Sequence, residues 1–176
     1  MTTATKLRLN FACGGSCWDG FDNSDTNGQP GTTFVDLSKP PYPYDANSAE
    51  LILISHALFM GNHGVPMHPD LQPIMAEFHR ILQPGGWLRI DDNPFRCFDP
   101  LESLDPGQAA EEAQRGYDQR WLLPREKLIA LLHEVGFTRV EPSPVSSLAA
   151  LAFPDAAAAI VSNQMGHYSF TIEAQK

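Results

Sequence analysis

The run Leu51-Ile52-Leu53-Ile54, continued through Ser55, His56 and Ala57 to Leu58, constrains the fold most. It is too short to span a bilayer and too evenly apolar for a half-exposed strand. A run of this kind fits a strand buried on both faces of a parallel sheet, which requires helices on both sides. The flanking sequence supplies candidates. Leu71, Ile74, Met75, Phe78, Ile81 and Leu82 recur at helical spacing, which predicts a helix over 70–82 with Asp70 as N-cap and Pro73 in its first turn. Pro84-Gly85-Gly86 would stop it, and a strand would begin at Trp87. A second helix is expected over 124–135, with Leu128, Leu131, Leu132 and Val135 on its buried face and Gly136 as its C-terminal cap. Phe137 to Glu141 reads as a strand. Tyr168, Phe170 and Ile172 alternate with Ser169, Thr171 and Glu173 in a period of two. Strands alternating with helices indicate an α/β sheet with helical layers.

Three further strands are expected upstream, at 6–13, 20–24 and 32–37. The first breaks into a turn at Gly14-Gly15, and Gly20-Phe21-Asp22-Asn23-Ser24-Asp25 follows closely. A strand that ends in a glycine turn lets a ligand approach the backbone, because no side chain blocks it. An acid at the end of the next strand can take both hydroxyls of a ribose. Together they point to a site for an adenosine-type cofactor near the N-terminus.

Composition narrows the partners. A net charge of −9 argues against nucleic acid, because binding a phosphate backbone needs clustered Lys and Arg. No apolar run is long enough for a membrane span, and the first residues lack the apolar core of a signal peptide. Cys13, Cys17 and Cys97 are odd in number and match no zinc spacing, so a cytoplasmic location is expected. His56, His63 and His68 are read as loop histidines and no metal site is expected. The length of 176 residues suits a single domain over 1–176, with insertions at 93–123 and 145–166. The first insertion is acidic and dotted with aromatics. Its Arg96, Arg115, Tyr117, Arg120 and Trp121 could recognise an anionic or aromatic acceptor, but most read better as a salt-bridged surface helix with Trp121 in the core. The second is Ala-rich, with a short helix after Pro154, and is a candidate contact surface for a homo-oligomer.

Several motifs, in order, resemble the class I S-adenosylmethionine-dependent methyltransferases, and among them small members that open with Leu-Asn-Leu-Gly-Cys-Gly. Here the opening reads Leu9-Asn10-Phe11-Ala12-Cys13-Gly14-Gly15. The family's Gly-Trp-x-Asn-x-Asp segment corresponds to Gly20-Phe21-Asp22-Asn23-Ser24-Asp25. Its Asp-Leu pair corresponds to Asp36-Leu37, its Ser-His element to Ser55-His56, and its Arg-x-Leu-x-Pro-Gly-Gly to Arg80 through Gly86. The ordered resemblance covers roughly residues 6–92.

It implies a doubly wound, Rossmann-like sheet of about seven strands, mostly parallel, with one antiparallel strand near the C-terminus, here 167–176. It implies S-adenosylmethionine as cofactor, held by Ala12, Cys13, Gly14, Asp25, Asp36, Leu37 and Ser55. Asp25 would bind the ribose and Asp36-Leu37 would lie beside the adenine. A turn-capping role for Asp36 competes evenly with that one. The implied activity is methyl transfer to an acceptor that the sequence does not identify. His56, Asp91 and Asp92 are the candidate bases, with His56 better read as a residue near the cofactor that hydrogen-bonds backbone and shapes the pocket.

Three departures mark the match. Asn10 stands where many members carry an acid, Ala12 where a glycine is common, and Phe59-Met60 where a Glu-His pair is usual. The lost polar groups at Phe59-Met60, with a short first crossover, support an alternative, a nucleoside-binding module without catalysis. A nicotinamide dehydrogenase is less well supported, because no Gly-x-Gly-x-x-Gly follows the first strand.

Overall fold

A computed structural model of the chain describes residues 7–55, 57–58, 71–92, 125–142, 147–162 and 170–176. The elements are β1 (Leu7–Phe11), β2 (Asp22–Asp25), β3 (Thr33–Phe34), β4 (Ala49–Ser55), α1 (Gln72–Ile81), β5 (Leu82–Asp92), α2 (Arg125–Val135), β6 (Arg139–Pro142), α3 (Leu148–Ala152), a 3-10 turn (Pro154–Ala156), α4 (Ala157–Ser162) and β7 (Phe170–Gln175). The seven strands form one sheet in the order β3-β2-β1-β4-β5-β7-β6. The first five are parallel, and β7 runs antiparallel to both β5 and β6. This is the α/β sheet expected from the sequence, including the antiparallel strand near the C-terminus.

Alternation along the strands divides the side chains between two unlike faces. On one face Leu9, Ile52, Leu88 and Ala174 lie in register, as do Phe11, Ile54, Ile90 and Ile172. These residues join Ile74, Met75, Phe78 and Ile81 of α1 and Leu128 and Leu132 of α2 in the main core. Phe11 is the hub, with ring centroids 5.5 Å from Tyr42 and 5.0 Å from Phe78. The opposite face carries a polar row: Asn23, Asn10, Leu53, Arg89 and Glu173 pair in sequence across β2, β1, β4, β5 and β7.

That second face is covered in an unexpected way. Parallel strands are usually joined by a crossover helix. Residues 12–21, 26–32 and 35–48 connect β1, β2, β3 and β4 without one. The segment between β6 and β7 takes that place. Ala149 of α3, Ala156 of the 3-10 turn and Ile160 of α4 pack with Leu51, Leu53 and Trp87 as a second, smaller core. Arg8 pins it: its guanidinium reaches Asp155 at 2.7 Å and Glu50 at 2.7 Å, and lies 5.5 Å from the Phe153 ring centroid. The Ala-rich insertion is expected to carry one short helix; its described residues, 147–162, hold two and a 3-10 turn and supply a layer of the fold.

Two local expectations change. The residue preceding α1 is Leu71, and it makes no side-chain cap; Asp70 lies outside the described residues. The chain also enters β5 at Leu82, directly after α1, so Pro84-Gly85-Gly86 lies inside the strand. The register jumps from Ala49↔Leu82 to Leu51↔Trp87, which makes this triplet a bulge. Gly86 is required there, because a Cβ would come within 2.9 Å of Gln83 O and 3.1 Å of Ala49 O. The 93–123 insertion and the expected Pro124 helix start lie outside the described residues.

Candidate functional site

Strand order reverses between β1 and β4, where β2 and β3 follow on one side and β5 on the other. Ligands of open α/β sheets bind at the carboxyl ends of the strands beside such a reversal. The residues singled out from the sequence collect along this edge. Ala12, Cys13 and Gly14 follow β1, Asp25 ends β2, Asp36-Leu37 follow β3 and Ser55 ends β4. Asp91 lies in register with Ser55 near the end of β5.

The loop after β1 is tied to the end of β2. Gly14 N donates to Asp25 Oδ2 at 2.8 Å, and Cys13 N donates to Ser24 O at 3.1 Å. Asp25 Oδ1 accepts from Asn27 N at 3.0 Å. A carboxylate has about four acceptor positions, so Asp25 retains capacity for two further donors. Ala12 and Gly14 both have φ of +52°, the left-handed region that favours glycine. A Cβ built on Gly14 or Gly15 would meet nothing within 4 Å, so open space lies beside this loop.

Two buried amides fasten the same loop from beneath. Asn10 Nδ2 donates to Ser16 O at 2.8 Å and to Asn23 Oδ1 at 2.9 Å. Asn23 Oδ1 also accepts from Trp18 N at 3.0 Å, and its Nδ2 donates to Trp18 O at 3.0 Å and Phe21 O at 3.2 Å. Sequence reasoning registered Asn10 only as a departure from the family's acid and did not single out Asn23. The available signal was an uncharged amide inside an otherwise apolar strand, since a buried polar group demands partners.

Asp36 is engaged by its own turn. Its Oδ2 accepts from Lys39 Nζ at 2.6 Å, and its Oδ1 accepts from Ser38 N and Ser38 Oγ at 3.0 and 2.6 Å. The Lys39 ammonium, with Ser38, holds this carboxyl below the usual carboxylate range. Leu37 is buried in the main core. Ser55 Oγ is buried and has no hydrogen-bond partner among the described residues.

Asp91 is 2% exposed and fully engaged. Arg89 Nε donates to its Oδ2 at 2.7 Å and Arg89 Nη2 to its Oδ1 at 3.1 Å, and Thr171 Oγ1 also donates to Oδ1. Burial pushes its carboxyl above the ordinary value, against the pull of Arg89. Arg89 Nη1 in turn reaches Glu173 at 2.7 Å. His56 and the side chain of Asp92 lie outside the described residues, as do His63, His68 and Phe59-Met60. Among the described residues no cluster of three or more His, Cys, Asp or Glu is placed to hold a metal ion, and no helix is long and apolar enough to cross a membrane.

No sequence-family model matches the chain, and no curated protein sequence does. Solved structures do match. An S-adenosylmethionine-dependent methyltransferase from Mesorhizobium loti superposes over 97% of this chain and 91% of its own, with a TM-score of 0.59 at 15% identity. One from Archaeoglobus fulgidus covers 98% and 87%, with a TM-score of 0.58 at 14% identity. The fold is that of the class I S-adenosylmethionine-dependent methyltransferases. Phosphoethanolamine N-methyltransferase 2 of Haemonchus contortus, solved with S-adenosyl-L-methionine, shares this methyltransferase fold with a TM-score of 0.59 at 15% identity. The chain spans about half of that protein, 48% of its length. At such identities the likeness concerns the methyltransferase fold, and the site rests on this chain's own residues.

Proposed function

We propose that this chain binds S-adenosylmethionine at the carboxyl ends of β1, β2 and β4 and transfers its methyl group to an acceptor. The observation that carries the reading is the pairing of Gly14 N with the Asp25 carboxylate at 2.8 Å, at the reversal of strand order in a methyltransferase fold. The chain's residues fit an adenosyl group on three counts. Asp25 keeps acceptor capacity for ribose hydroxyls. Open space adjoins Gly14 and Gly15. Ser55 Oγ is a buried hydroxyl without a partner among the described residues.

In this reading Ala12, Cys13 and Gly14 give the cofactor a backbone wall, and Asp36 with Leu37 borders the adenine. The cofactor, when bound, supplies an electrophilic methyl. The protein's share is to hold the acceptor in line with it, since positioning alone is worth effective molarities up to about 10⁵–10⁸ M. His56 and Asp92 are the proposed bases for an acceptor that must lose a proton. Asp91, bound by Arg89 and Thr171, serves this edge of the sheet best by fixing the end of β5.

One observation favours a second reading, a nucleoside-binding module without catalysis: Asp91, one of three candidate bases, is committed to an ion cluster. Titration calorimetry with S-adenosylmethionine, S-adenosylhomocysteine and NAD tests both. Binding of the first two without NAD supports the adenosyl site. Transfer of radiolabelled methyl to any acceptor in a broad screen separates enzyme from module. Absence of binding by either adenosyl compound overturns both readings.

A further inference from the structure

We propose that Cys13 and Cys17 are a redox modification site, forming a reversible disulfide in the folded protein by exchange with low-molecular-weight disulfides. The two thiols lie in the loop that joins β1 to β2. Their sulfurs are 3.1 Å apart, about 1 Å from the disulfide bond length of about 2.05 Å. The residues between them are Gly14, Gly15 and Ser16. Neither glycine would meet an atom within 4 Å if it carried a Cβ, so the ring can close into open space. The turn that brings the sulfurs together is held by Ser16 N donating to Cys13 O at 2.7 Å and by Asn10 donating to Ser16 O.

The two cysteines are also unlike, as a stepwise exchange requires. Cys17 is exposed and Cys13 is buried. Burial, with Cys17 next in effect, pushes the Cys13 thiol up to about 12. Cys17 is therefore the sulfur that meets a soluble disulfide, and Cys13 is the one that resolves the mixed product. In the first step the Cys17 thiolate attacks the disulfide RSSR, forms a Cys17–SR bond and releases RS⁻. In the second, Cys13 attacks Cys17 Sγ, the second RS⁻ departs and the Cys13 proton passes to it. Two thiols and one RSSR become one protein disulfide and two RSH. The ring would enclose Gly14, whose backbone N–H donates to Asp25, so the oxidation state of the pair acts on the loop proposed to receive the adenosyl group.

The test uses the full chain with Cys97→Ser, incubated with glutathione disulfide and read by intact mass and peptide mapping. The expected product has lost two hydrogens, links Cys13 to Cys17, and reverts with dithiothreitol. In the same background Cys13→Ser should stall as a glutathione adduct on Cys17, and Cys17→Ser should stay unmodified while folded. Accumulation of a stable adduct on Cys17 with Cys13 intact, or no reaction at Cys17, would overturn the proposal. Circular dichroism confirms that each form is folded, and the Cys97→Ser protein alone decides the matter should a second variant fail to fold. No adenosyl ligand enters the readout, so its failure is distinguishable from failure of the methyltransferase reading.

Discussion

Arg89 on β5 and Glu173 on β7 are paired neighbours across an antiparallel ladder, both wholly buried, with Nη1 and Oε1 2.7 Å apart. The pair ties three elements together. Arg89 also holds Asp91, while Glu173 accepts from Ser147 Oγ and from Leu148 N and Ala149 N at 2.6 and 3.1 Å. The orphan amides at the start of α3 are satisfied by a side chain from another element. Asp91 would still face the Arg89 guanidinium if Glu173 were removed, but Arg89 Nη1 and the amides of Leu148 and Ala149 would lose their acceptor, and leaving a buried donor unsatisfied costs about 1–3 kcal/mol. Glu173→Ala should therefore lower stability by about that amount in urea denaturation. A loss under about 1 kcal/mol, the range of exposed pairs, would show that the cluster is not structural.

Asp25→Ala should weaken S-adenosylhomocysteine binding by roughly 1–3 kcal/mol, the range for hydrogen bonds to a charged group and for a donor left unsatisfied. The Gly14 N–H would lose its acceptor in the same variant. Calorimetry beside thermal denaturation separates the two effects. An unchanged dissociation constant removes Asp25 from the ribose role.

Ala12 has φ of +52°, where an L side chain is strained by about 1–2 kcal/mol and glycine is not. Glycine carries an entropic penalty of about 0.5–1 kcal/mol. The net expectation for Ala12→Gly is a gain of a few tenths to about 1 kcal/mol in unfolding free energy. A loss would mean that the packing of the Ala12 methyl against the main core outweighs the backbone strain.

His79 lies edge-on to Phe137, with ring centroids 5.1 Å apart. Burial, and after it the charge of Lys176, holds its pKa below the ordinary 6.5. The unfolded chain thus takes up a proton that the folded state resists. Stability is highest above the ordinary imidazole value and falls as pH drops through it, levelling off below the folded value. His79→Gln should flatten that segment of the curve relative to wild type, measured as denaturation midpoint from pH 8 to pH 5 (roughly the span of imidazole titration). Parallel curves would refute the shift.

Much of the sheet was legible in the chain's periodicities. The apolar run at Leu51–Ile54 is β4 at the centre, and the alternation at 170–175 is the antiparallel β7, because burial on two faces or one imposes the pattern directly. The glycine turn and Asp25 were legible as a pair, and the structure joins them through the Gly14 N–H. Less could be read where partners are distant in sequence. Asp91 looked like an acid available to a cleft, and Arg89, Thr171 and Glu173 could not be recognised as its company. In sequence Asp36 fits a ligand role and a turn-capping role alike, and the turn partners Ser38 and Lys39 show only in the structure.

The sequence by itself determined where most of the strands and the two longer helices fall and which residues end them, because local spacing and side-chain type carry that information. Only the tertiary structure decided what covers the polar face. The segment 147–162 packs over β1, β4 and β5, a choice set by Arg8 meeting Asp155 and by Ala149, Ala156 and Ile160 meeting Leu51, Leu53 and Trp87. It also decided which polar groups are left for a ligand. Pairing among Asn10, Asn23, Arg89, Asp91 and Glu173 depends on strand order and register, and these emerge only when non-local strands meet.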